Sequence, residues 1–142
     1  MKRKGLWIGL AIAAVLIVAI GFVAYRFLAP VRVEVVGIAD GVPFTIETLP
    51  HTVMARPGEM IKVTYRIQNN DRMPVSAYGA ITVEPAAAAE QIQVFLSQCG
   101  GINTYQNSVA DDYDVMFRVR PAGLSGSARL VLKHTFKPST PR

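Results

Sequence analysis

A chain of 142 residues, 51% hydrophobic and carrying a formal charge of +5, is sized for one domain plus an accessory segment. The charge does not mark a nucleic-acid binder. Lys2, Arg3, Lys4 and Arg26 supply four of those charges, which leaves +1 over residues 31–142, where eleven basic groups meet ten acidic ones and form no basic stripe.

The first element is apolar. Leu6 to Tyr25 reads LWIGLAIAAVLIVAIGFVAY without a charge. As a helix, twenty residues rise ~30 Å, the thickness of a bilayer's hydrocarbon core, where only a helix satisfies its own backbone. A cleaved signal peptide has a shorter apolar region, ~7–15 residues, and a small-x-small cleavage site. Tyr25-Arg26-Phe27-Leu28-Ala29-Pro30 offers no such site, so a retained anchor is expected. Three basic residues before it and one after it place the N-terminus in the cytoplasm and the remainder outside. With no amphipathic transit segment before the anchor, the expected location is a bacterial inner membrane, crossed once, with the following domain in the periplasm. The expected division is residues 1–30 for the cytoplasmic N-terminus and anchor and 31–142 for the exported domain.

Period-two patterning dominates the remainder, the signature of half-buried strands. Val31, Val33 and Val35 alternate with Arg32, Glu34 and Val36. Ile61, Val63, Tyr65 and Ile67 share one face, as do Tyr113, Val115, Phe117 and Val119. Ala128, Leu130, Leu132, His134 and Phe136 repeat the pattern near the end. Arg56-Pro57-Gly58-Glu59 suits a type II turn, with connections at Asn69–Pro74 and Pro121–Gly126. Ala86–Gln91, after Pro85, is the one expected helical turn. Roughly seven strands in about 100 residues predict an all-β fold, an immunoglobulin-like β-sandwich preceded by a single N-terminal transmembrane helix.

Chemistry-bearing residues are few. Two histidines do not furnish a Ser-His-Asp constellation, and Cys99-Gly100-Gly101 lacks the lysine and helix of a phosphate loop. No Cys-x-x-Cys pair is present, so the chain is read as no enzyme. His134 lies on the apolar face of its strand and His51 reads as a surface residue; Asp111, Asp112 and Asp114 read as a solvated edge. Cys99 cannot form an internal disulfide, which leaves a metal, an intermolecular bridge or a buried thiol. Free cysteine is commonly buried, but the two glycines that follow imply an approachable backbone and greater exposure. A soft thiolate favours Cu(I), as do the thioethers of Met54, Met60, Met73 and Met116.

Taken together, an N-terminal anchor, a small exported sandwich and Arg56-Pro57-Gly58-Glu59 opening an alternating strand resemble the CtaG assembly factors of cytochrome c oxidase. Val83-Glu84-Pro85, Val115-Met116-Phe117 through Pro121, and Leu130 to Phe136 extend the resemblance over most of residues 31–142. It implies delivery of Cu(I) to the CuB site of oxidase subunit I, the expected partner, with Cys99 as the metal-binding residue. The family's copper motif is Cys-Phe-Cys-Phe; Ser97-Gln98-Cys99-Gly100 stands in its place. Cys99 matches the second cysteine, Ser97 replaces the first, and both phenylalanines are absent. The family's membrane-proximal cysteine has no counterpart in residues 26–40. One thiolate per chain leaves three arrangements. A homodimer shares one copper, its anchors meeting through Gly9 and Ala13; or Cys99 recruits a methionine or binds copper transiently; or copper binding is lost and the domain is a copper-independent scaffold or interaction module.

Overall fold

The computed structural model describes residues 2–121 and 129–139, with side chains from Trp7 onward. The chain is mostly β, preceded by one N-terminal helix, α1 (Lys2–Leu28). Its segment Trp7–Leu28 is apolar and long enough to cross a membrane, and none of it is buried against the rest of the protein. Nine strands follow among the described residues: β1 (Val31–Ala39), β2 (Phe44–Leu49), β3 (Thr52–Ala55), β4 (Met60–Asn69), β5 (Val75–Glu84), β6 (Ile92–Ser97), β7 (Gly101–Tyr105), β8 (Ala110–Val119) and β9 (Arg129–Pro138).

The strands form two sheets, one ordered β3-β1-β9-β5-β7 and the other β2-β4-β8-β6. All pairings are antiparallel except β1 with β9, which run parallel with Val33 opposite Leu130 and Val35 opposite Leu132. Alternation explains the layering: Val33, Val35, Leu130, Leu132 and Phe136 from the first sheet meet Val63, Tyr65, Ile67, Val115 and Phe117 from the second, all fully buried. Tyr65 on β4 packs edge-on against His134 on β9, with ring centroids 5.1 Å apart, so aromatic side chains cross the gap between the sheets.

The alternating runs fall on β1, β4, β8 and β9, the last of them from Leu130 onward, since Ala128 lies outside the described residues. The Arg56–Glu59 turn forms as expected: Glu59 N–H donates to the Arg56 carbonyl at 3.0 Å and Gly58 has φ +85°. Glu59 Oε2 also accepts from the Arg56 N–H at 3.2 Å, so the glutamate itself fastens the turn. Ala86–Gln91 is a 3-10 helix, and of the Pro121–Gly126 connection only Pro121 lies among the described residues. Nine strands exceed the expected seven because β2, β3, β6 and β7 are short. In addition, β6 shifts register between Val94 and Leu96, a bulge that breaks its alternation.

Candidate functional site

Cys99 sits where the chain changes sheets. β6 is an edge of the second sheet and β7 an edge of the first, joined by Gln98-Cys99-Gly100. Both sides of this link are tied down. Gln98 N–H donates to the Asp114 carbonyl at 3.1 Å, and its side-chain Oε1 accepts from the Asp114 N–H at 2.7 Å. Gly100 N–H donates to the Ser97 carbonyl at 3.3 Å, and Asn103 Nδ2 donates to the Gly100 carbonyl at 3.1 Å. Gly101 then enters β7 at φ +73°, a conformation that glycine adopts without strain. The two glycines therefore serve a tight crossover, and they do not expose the thiol as the sequence led us to expect. Cys99 is 0% exposed.

Inside, Cys99 Sγ lies 3.6 Å from His134 Nδ1. The His134 ring stacks on Phe136 at 4.5 Å and is fully buried. Gly79 on β5 makes room for this arrangement. A Cβ there would overlap the Cys99 carbonyl oxygen and stand 2.9 Å from His134 Nε2. Around the pair, Tyr65 Oη and Tyr105 Oη are buried without a hydrogen-bond partner.

Burial sets the protonation of the pair. It pushes the Cys99 thiol up to about 12, although the Ser97 hydroxyl and the backbone N–H of Cys99 favour the thiolate. It pushes His134 down to about 4, against the opposing pull of the Cys99 backbone carbonyl. At neutral pH both groups are uncharged; the pull of the Cys99 carbonyl on a ring N–H sets that proton on Nε2, so Nδ1, which faces Sγ, accepts from the S–H. The Tyr65 and Tyr105 phenols are also raised, first by burial and then by the neighbouring Cys99.

The other candidates are dispersed. Met54, Met60 and Met73 are exposed, and Met116 alternates with the buried Val115 and Phe117, so none joins Cys99 in the interior. Among the described residues no three His, Cys, Asp or Glu side chains converge as a metal site. Asp112 takes a bidentate grip from Arg66 at 2.8 and 3.0 Å, and Asp114 pairs with Lys62 at 2.8 Å, so these acids serve a charged sheet face. His51 is exposed, with Nδ1 2.6 Å from Thr48 Oγ1. Because Thr48 Oγ1 donates to the Val35 carbonyl at 3.1 Å, His51 Nδ1–H is the donor of that pair.

No protein-family model matches the chain, and no curated protein matches it either. One surface was missed by reading single chemical groups. From Ile92 to Tyr105 no residue is charged. The β6 bulge turns Phe95 outward between exposed Val94 and Leu96, and on β7 Ile102 is 70% exposed opposite Tyr78. The Arg118 guanidinium lies 5.1 Å over the Phe95 ring. Sheet edges normally carry charges or proline that block further pairing; these two edges carry neither. A fourteen-residue uncharged stretch was the available signal.

Proposed function

We propose that this chain is a membrane-anchored assembly factor for cytochrome c oxidase, similar to the CtaG family, acting through protein contact. α1 spans the bacterial inner membrane once with its N-terminus in the cytoplasm, and the domain is an immunoglobulin-like sandwich in the periplasm. Subunit I is the partner, engaged along the β6 and β7 edges. The carrying observation is that uncharged pair of edges, with Val94, Phe95, Leu96 and Ile102 outward, flanking a cysteine held inside. Strand addition or apolar docking at such an edge gives affinity without metal. Confinement to one membrane raises the effective concentration of the partners.

A second reading rests on the 3.6 Å approach of Cys99 Sγ to His134 Nδ1. A thiolate and an imidazole are a matched donor pair for Cu(I) as cargo. Loading that pair requires the thiol to lose its proton and the Gln98–Gly100 link to open, which the thiol's position near 12 disfavours.

One paired experiment separates the two readings. Phe95→Glu is expected to lower assembled oxidase strongly, while Cys99→Ser leaves assembly and CuB metallation intact; haem and copper content of the purified oxidase are the readout. An anaerobic Cu(I) titration of the full chain against a chelator is expected to show no binding beyond that of Cys99→Ser. Tight Cu(I) binding lost in Cys99→Ser, together with loss of CuB, establishes the copper reading in its place.

A further inference from the structure

The link between helix and domain is very short. α1 ends at Leu28 and β1 begins at Val31, and three residues reach at most about 11 Å. On the reading that α1 spans a membrane, the strand ends level with Val31 stand at the headgroup layer, which adds roughly 5–8 Å to each side of the hydrocarbon. The ladders identify those ends. Val31 pairs with Ala55 and Arg32 with Arg129. Gly58 N–H of the next turn donates to the Val119 carbonyl at 2.8 Å, and Arg120 N–H donates to the Gln91 carbonyl at 2.7 Å.

Charge is divided along this axis. The membrane end carries Arg32, Arg56, Arg118, Arg120 and Arg129 against Glu34, Glu59 and Glu90. Glu34 reaches both Arg129, at 2.7 Å, and Arg32, at 3.5 Å. Arg56 and Arg120 are exposed. Among the described residues, the opposite end carries Asp40, Glu47, Asp71, Asp111 and Asp112 against Arg66, Arg72 and Lys137. Lys133–Glu84 and Lys62–Asp114 cancel within the sheets. A near-neutral domain is thus positive where it meets the membrane and negative where it faces away.

We infer that the arginine end of the domain seats on the phosphates of anionic phospholipids in the adjoining leaflet and so holds the two sheets upright on the membrane. Guanidinium forks match phosphate oxygens in geometry and charge. The acidic excess at the far end, five carboxylates against three basic groups, disfavours the opposite orientation on the same surface.

The test uses the full chain in nanodiscs, of phosphatidylcholine alone or with phosphatidylglycerol, followed by amide hydrogen exchange. The 56–58 turn and Arg120 are expected to exchange more slowly in the anionic discs, by roughly fivefold for each arginine seated. The far-end Asn69–Met73 segment should not change. Arg56→Gln with Arg120→Gln, or salt near 1 M where the screening length falls to ~3 Å, is expected to remove the protection. The sole tryptophan, Trp7, checks the anchor independently through quenching by brominated acyl chains. Equal exchange in the two lipids with Trp7 quenched overturns the inference and leaves the anchor standing. An unquenched Trp7 overturns the anchor and this inference with it.

Discussion

Gly79→Ala is expected to destabilise the domain by about 2–3 kcal/mol, the upper part of the range for overpacking a dense interior. The new methyl group would meet the Cys99 carbonyl oxygen, with His134 Nε2 at 2.9 Å and Phe136 Cε1 at 3.2 Å. None of these can swing aside. The carbonyl belongs to a link fastened through Gln98, Gly100 and Asn103, and the two rings are stacked in the core. β5 has no freedom either, because Gly79 is paired with Phe136 on one side and Gly101 on the other. The least costly relief is to lift the crossover out, and that exposes the thiol. A buried thiol reacts only when the structure opens. Cys99 should therefore react with a disulfide reagent roughly 30- to 150-fold faster in Gly79→Ala, since each 1.4 kcal/mol is tenfold in an opening equilibrium. Urea midpoints and thiol kinetics on the same samples read both effects. Unchanged stability with an unreactive thiol would show that the crossover is not held as described.

The same crossover marks where the sequence was legible and where it was not. Strands buried on one face announce themselves by alternation, so β1, β4, β8 and β9 were readable from Val33, Tyr65, Phe117 and Leu132 and their neighbours. β6 was not, because its bulge puts Val94, Phe95 and Leu96 all outward and destroys the period. Local chemistry was equally readable at Pro57-Gly58, where proline and glycine preset a turn. It misled at Cys99. Glycine permits an open loop and a tight crossover alike, and which occurs depends on Gly79 and His134, distant in sequence. The placement of His134 on an apolar face was visible, but its partner across the fold was not. The signal for the apolar, uncharged β6 and β7 edges lay in the charges missing from Ile92 to Tyr105.

Stability should fall at both extremes of pH through the same pair. A histidine held near 4 when folded and near 6.5 when unfolded takes up its proton more readily in the unfolded chain. Stability contributed by neutral His134 is thus fully present above pH 6.5 and lost as pH falls towards 4, about 3 kcal/mol in all. The thiol acts in the opposite sense. Folded Cys99 keeps its proton up to about 12 while the unfolded thiol ionises near 9, so its contribution is present below pH 9 and lost as pH rises towards 12. Tyr65 and Tyr105, raised by burial, add to this alkaline loss once the unfolded phenols titrate near pH 10. Denaturant midpoints across pH 4 to 11 should trace a dome. His134→Phe, which keeps a ring stacked on Phe136, is expected to remove the histidine's part of the acid slope and leave the alkaline one. Cys99→Ser should do the reverse. Protonating His134 also removes the acceptor of the thiol's hydrogen bond, so acid should loosen the crossover before the sheets melt. A reagent that attacks thiols at low pH should find Cys99 open near pH 4.5 while β4 and β9 amides still resist exchange. Simultaneous loss of both would mean the pair is part of the global core and has no separate motion for a partner or a metal to use.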